Sequence, residues 1–237
     1  MKILIKEQTT DILDKFPKFR KPLPDAYQKI YEEHYTNNRN GQTTASFFSS
    51  KLEQWMHRKV AADTRTNSHL STLEIGAGTL NQLKYEPTEI YDIVEPFQNL
   101  YKTSKYLERI RNIYGDINEI EKGVQYDRIT AIASFEHICN LPEVVECCRD
   151  LLTPNGTLRI AIPNEGRFLW KFSYKMTTGL EFSRKYKLDY SVLMNYEHVN
   201  TADEIEAVLM YYFSKIRMSL LGVTKDFAFY RYYECEK

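Results

Sequence analysis

The chain has 237 residues, 43% of them hydrophobic, which suits one domain with additions or at most two small ones. Lys+Arg and Asp+Glu are equal at 32 each, so the formal net charge is zero and a surface devoted to nucleic-acid phosphates is disfavoured. The four cysteines, Cys139, Cys147, Cys148 and Cys235, form no CxxC pair; they suggest buried thiols, neither a zinc site nor a disulfide framework.

Met1 to Thr10 alternates charged and apolar residues and lacks the apolar core of a secretory signal. No apolar run approaches the roughly 20 residues that span a bilayer. The expectation is a cytoplasmic protein. Residues 1–69 are polar and aromatic and read as helical. Asp25 is placed to cap a helix through Tyr27, Ile30, Tyr31 and Tyr35. Asn37 to Gly41 reads as a turn. A second helix holds Phe47, Phe48, Leu52, Trp55, Met56 and Val60.

From Leu70 to Ile162 short apolar runs alternate with amphipathic stretches. The predicted strands are Thr72–Ile75, Ile90–Val94, Arg111–Tyr114, Arg128–Ala133 and Thr157–Ile162. Helix-like segments lie between them, around Asn81, from Tyr101 to Leu107 and from Pro142 to Leu152. This alternation predicts a parallel sheet with helices on both faces. Arg167 to Tyr196 is aromatic and basic without a strand pattern. Thr201 and Glu204 form a capping box for a helix through Ile205, Val208 and Leu209. Lys215–Leu220 and Phe227–Glu234 read as two final strands.

Two motifs carry chemistry. Leu73-Glu74-Ile75-Gly76-Ala77-Gly78-Thr79 ends the first strand, where glycines let the backbone turn and a ligand approach. Asn81 occupies the third glycine position of a dinucleotide fingerprint. Glu74 faces a pyrophosphate poorly and a cation well, and S-adenosylmethionine (SAM) carries an ammonium and a sulfonium. Tyr91-Asp92-Ile93-Val94-Glu95-Pro96 ends the second strand with Glu95, where an acid accepts hydrogen bonds from ribose hydroxyls.

With these motifs the sequence resembles the class I SAM-dependent methyltransferases over roughly residues 70–163. Tyr114-Gly115-Asp116-Ile117 is similar to the family's third motif. The resemblance implies that Asp116 meets the adenine amino group and that Ile117 covers the ring. Ser134-Phe135-Glu136-His137-Ile138 is similar to the loop beside the methionine part of SAM, which implies roles for Ser134 and Phe135. Leu151-Leu152-Thr153-Pro154-Asn155-Gly156-Thr157-Leu158 resembles the segment before strand five, with Asn155 for the usual Gly.

The resemblance implies a three-layer Rossmann-like α/β fold with a seven-stranded sheet of order 3-2-1-4-5-7-6, the last strand antiparallel. Residues 1–69 would form an N-terminal helical lid, and 70–237 the SAM-binding domain with a substrate-side insertion at 164–197. Tyr35 and Arg39 would reach the SAM carboxylate. The implied activity is methyl transfer (EC 2.1.1.-), with SAM as cofactor and S-adenosylhomocysteine (SAH) as product. The candidate general bases are His198 and His137, since histidine titrates near neutral pH. Small-RNA 3′-end methyltransferases hold a divalent metal through Glu-x-x-Glu-His and a distant His. Here Ala133 stands at the first Glu, so no metal is expected.

The acceptor expected is a small molecule: a hydroxyl of a sugar, sugar nucleotide or lipid-linked glycan. The alternating basic and aromatic residues from Arg167 to Tyr190 suit an anionic acceptor with a planar or sugar part. They would also suit a membrane surface or single-stranded RNA. The alternatives are a quinone or isoprenoid acceptor, which an apolar tunnel would favour, and a non-catalytic SAM-binding partner subunit. A dehydrogenase-like nucleotide protein is disfavoured by Glu74 and Asn81.

Overall fold

The apolar runs assemble edge to edge in the computed structural model, which describes residues 11–31, 45–64 and 67–237. Tyr35, Arg39, the turn Asn37–Gly41 and the side chains of Phe47 and Phe48 lie outside the described residues. The strands are β1 Thr72–Ile75, β2 Tyr91–Val94, β3 Asn112–Tyr114, β4 Tyr126–Ile132, β5 Leu152–Pro163, β6 Lys215–Gly222 and β7 Ala228–Glu236. They form one sheet of order β3-β2-β1-β4-β5-β7-β6. Strands β1 to β5 are parallel, and β7 runs antiparallel to both β5 and β6. This is the predicted order and polarity. The central strands are buried along almost their whole length: every residue of β1 and β2 and six of the seven in β4 are buried, Glu74, Asp92 and Arg128 among them.

Helices cover both faces. Helix α1, Ala45–Val60, lays Met56 and Val60 on Ile132, Ala161, Tyr230 and Tyr232. Its C-terminal end is clamped by two strand arginines. Arg128, 1% exposed, donates to the Val60 carbonyl and pairs with Asp63 and Glu86; Arg159 donates to the same carbonyl. Orphan carbonyls at a helix end thereby find charged donors. On the other face, α2, Leu141–Leu151, buries Leu141, Val145 and Cys148 at helical spacing.

After β5 come α3 Phe168–Tyr174, a π turn Lys175–Gly179 and α4 Leu180–Tyr186, running on as one rod. Then follow α5 Tyr190–Glu197 and α6 Ala202–Tyr212, the latter opened by the predicted Thr201–Glu204 capping box. The helical segment 25–31 packs Tyr27 against Phe182 and Leu193, so the N-terminal region and the insertion share a satellite core.

Two predicted helical segments are shorter than expected. Leu80 takes a left-handed backbone (φ 65°), so only a 3₁₀ turn, Asn81–Lys84, follows. The 101–107 segment is one α turn, Gln98–Tyr101, and a 3₁₀ turn, Leu107–Arg109. Strand β5 begins five residues before its predicted start: Leu152 pairs with Tyr126, and the register then shifts between Tyr126 and Arg128.

Candidate active site

A cavity of about 670 Å³ opens at the C-terminal ends of β1 and β4, where parallel sheets hold ligands. One end is walled by Glu74, Gly76, Ala77 and Gly78, the other by Glu136, His137 and His198. Helix α1 adds Leu52, Glu53, Met56 and His57.

The glycine loop is sterically specified. Gly76 has φ +70°, and a Cβ there would lie 2.6 Å from the Ser134 Cβ. Ser134 Oγ donates to the Ile75 carbonyl at 2.9 Å and holds the two strand ends together. Glu74 is 3% exposed and accepts a hydrogen bond from Tyr91 Oη at 2.9 Å. Burial pushes its carboxyl up to about 8, against the pull of that hydrogen bond. A cation placed beside it would restore the charged form.

Glu95 accepts from the Gly78 amide at 2.8 Å and the Phe97 amide at 3.0 Å, so it braces the glycine loop. Asp116 is exposed and caps a turn, accepting from the Asn118 amide at 2.8 Å. Pro96 is exposed, while Ile117 and Phe135 are buried in the main core. Among the described residues these five, with Ser134, do not line the cavity.

The two histidines are brought together by a backbone zipper. The Val199 and Asn200 amides donate to the Glu136 carbonyl, and Asn200 Nδ2 donates to the carbonyls of Phe135 and Ile138. The rings of His137 and His198 meet edge to face, 4.9 Å between centroids. His137 Nδ1 lies 2.9 Å from the Glu197 carbonyl, an acceptor only, so Nδ1 donates. His198 Nδ1 lies 2.8 Å from Glu165 Oε2. Both rings therefore keep their Nε2 atoms as the acceptor nitrogens.

Electrostatics sharpen the His198 pair. Burial lowers the His198 pKa, but the Glu165 hydrogen bond and the charges of Glu136, Glu165 and Glu197 outweigh it, and the net shift is upward. Burial alone would raise Glu165; hydrogen bonds from His198, Trp170 and Gly166, with the His198 charge, hold it below the usual carboxylate range. Glu136, 1% exposed, is pushed up to about 7 by burial, and its Oε2 has no partner among the described residues.

Glu165 carries no motif of its own in the sequence. It sits in Pro163-Asn164-Glu165-Gly166 at the end of β5, a position that parallel-sheet topology alone marks as ligand-facing. Buried Arg231 donates to Asn164 Oδ1 at 2.7 Å, and Asn164 Nδ2 donates to the carbonyls of Lys225 and Ala228, which fixes that loop. Trp170 Nε1 donates to Glu165 Oε2 at 2.6 Å. The outer wall of the cavity is largely aromatic and apolar, with Leu169, Trp170, Tyr174, Met194 and Tyr230, interrupted by Ser173, Thr177 and Thr178. Arg167 and Lys171 lie outside the lining; Arg167 is paired with Asp203 and Asp226.

No family model matches the chain, and no curated protein matches it in sequence. Solved structures do. The chain is similar to the plantazolicin methyltransferase BpumL, solved in complex with SAH, at TM-score 0.61 and 15% identity over 99% of each chain. It is similar to a SAM-dependent methyltransferase of Thermotoga maritima, described as a possible histamine N-methyltransferase, at TM-score 0.56 and 12% identity over 90% of this chain and 99% of that one. The methyltransferase domain of a bacterial Hen1 matches at TM-score 0.55 and 16% identity, over 78% of this chain and all of that one. Strand order, strand polarity and these likenesses agree: the chain has the fold of the class I SAM-dependent methyltransferases.

Proposed function

We propose that this protein binds SAM at the glycine-loop end of the cavity and transfers its methyl group to a small-molecule acceptor at the histidine end. The observation that carries the reading is the cavity itself. One continuous space joins a buried carboxylate beside a glycine turn to His198, whose ring is held from behind by Glu165, on a methyltransferase fold. Glu74 would pair with the cationic methionine part of SAM. Glu95 would act through the Gly78 loop, and exposed Asp116 would meet the adenine where the ligand extends past Gly78 beyond the cavity, with buried Ile117 supporting its turn. Tyr35 and Arg39 would meet the SAM carboxylate, with residues 1–69 serving as lid.

Methyl transfer to a hydroxyl is an in-line displacement at the sulfonium carbon, and the hydroxyl proton must leave. His198 Nε2 is the proposed base. Its Nδ1–H is held by Glu165, which orients the ring and favours the imidazolium that forms. His137, edge-on to it, shapes the same corner.

The acceptor reading divides between a sugar or glycan hydroxyl and a quinone or isoprenoid lipid. The wall of Leu169, Trp170, Tyr174 and Met194 favours the second, because a planar ring or an acyl chain gains from aromatic and apolar contact. Calorimetric titration with SAM, SAH and NAD tests the central claim, with Glu74→Ala as control. Micromolar SAM and SAH binding, weakened in the control, is expected. NAD binding in its place would overturn the reading.

A further inference from the structure

The rod from Phe168 to Tyr186 carries an exposed apolar stripe that runs along the rim of the cavity. Phe168, Phe172, Met176 and Leu180 recur every fourth residue and are 65%, 52%, 57% and 41% exposed. A plain α-helix would let that spacing drift around the axis. The π turn at Lys175–Gly179 winds more slowly and keeps the stripe in line. Phe227, 57% exposed in the β6–β7 turn, extends the stripe, its ring 6.3 Å from that of Phe168. The opposite side of the rod faces inward through Trp170, Tyr174 and Phe182.

Charge names the partner. The chain is neutral overall, yet residues 168–187 carry Lys171, Lys175, Arg184, Lys185 and Lys187 against the single acid Glu181. An exposed apolar stripe flanked by lysines fits an anionic lipid surface, with the aromatic rings at the acyl boundary and the ammonium groups among the headgroups. No helix of the described residues is long and apolar enough to cross a membrane, so the contact would be peripheral. The stripe also joins the cavity: Phe172 and Met176 line it while remaining exposed.

We propose that the Phe168–Leu180 face, with Phe227, docks on anionic membrane lipid and sets the cavity mouth at the bilayer, where an amphiphilic acceptor enters. The docking face stands on exposure and charge alone; the acceptor's route rests on the lipid reading given under Proposed function. The test is sedimentation of the full chain with phosphatidylcholine vesicles and with vesicles containing phosphatidylglycerol. Three proteins are compared: wild type, Phe168→Asp/Phe227→Asp, and Lys171→Glu/Lys175→Glu. Circular dichroism and SAM titration on the same samples monitor folding and the cofactor site.

Wild type is expected to bind phosphatidylglycerol vesicles at least about tenfold better than neutral ones. The lysine reversal should cost about tenfold or more, and the Phe pair should abolish binding. Wild type that stays in solution with both vesicles overturns the proposal, as does a folded lysine variant that binds like wild type. A dimer that Phe168→Asp/Phe227→Asp dissolves would assign the face to a second copy and overturn it too. SAM binding without vesicle binding defeats the docking alone; vesicle binding without SAM binding defeats the methyltransferase reading alone.

Discussion

His198 is the residue on which the proposed chemistry turns, and its protonation sets a sign for the pH dependence. A base must be neutral to accept a proton. Glu165, with Glu136 and Glu197, holds the His198 pKa above its ordinary value, so activity should rise with pH through that raised value. Glu165→Gln removes one charge and weakens the hydrogen bond. Burial then acts less opposed, and the acid limb of the kcat–pH profile should move to lower pH. His198→Ala should lower kcat by about 10²- to 10⁴-fold with SAM affinity retained. A profile that does not move in Glu165→Gln, or an unchanged kcat in His198→Ala, defeats the assignment. The glycine loop was legible in the sequence because its parts are chain neighbours: Glu74, Gly76 and Gly78 lie within one strand end and one turn. The His198–Glu165 pair was not, because its members are 33 residues apart and meet only after α3, α4 and α5 fold back.

Elements were legible in proportion to how far burial dictates them. Strands β1, β2 and β4 are buried almost throughout, and their short apolar and β-branched runs, interrupted by Glu74, Asp92 and Arg128, located them in the sequence. The segments around Asn81 and Tyr101 have no long apolar stripe, and local backbone geometry at Leu80 shortened the first. The clamp on α1 is hidden in the sequence for a different reason. Arg128 sits within a predicted strand, where a cation reads as solvent-facing, yet it is buried against Glu86, Asp63 and the Val60 carbonyl. Removing one member of such a network leaves a buried carboxylate without its partner. Arg128→Met should therefore cost about 3–5 kcal/mol. In a domain of this size that lowers Tm by roughly 6–20 °C. Thermal unfolding measures it, and a shift under about 2 °C would mean that water replaces the arginine.

At the scale of the whole molecule, the cavity is lined by three acids that folding makes harder to ionise, Glu53, Glu74 and Glu136. Burial raises Glu74 to about 8 and Glu136 to about 7. Both values exceed the ordinary range of an unfolded chain, so between about pH 4.5 and 8 these two groups hold more protons in the folded state than in the unfolded one. Unliganded stability should then fall as pH rises through that window, by up to about 1.4 kcal/mol per pH unit for each group. SAM should reverse part of this loss. In the proposed complex its ammonium would lie beside Glu74 and favour the carboxylate, so binding should expel the proton and tighten as pH rises toward 8. A ligand held only by the folded state also adds about 2.7 kcal/mol at a hundredfold excess over its Kd. Thermal unfolding at pH 6.5 and 8.5, with and without SAM, reads both effects. The expected pattern is a lower Tm at pH 8.5 without ligand and a larger SAM increment there. Calorimetry in buffers of different ionisation enthalpy should show proton release on binding near pH 7. Proton uptake, or an increment that shrinks with pH, would place the SAM cation away from Glu74.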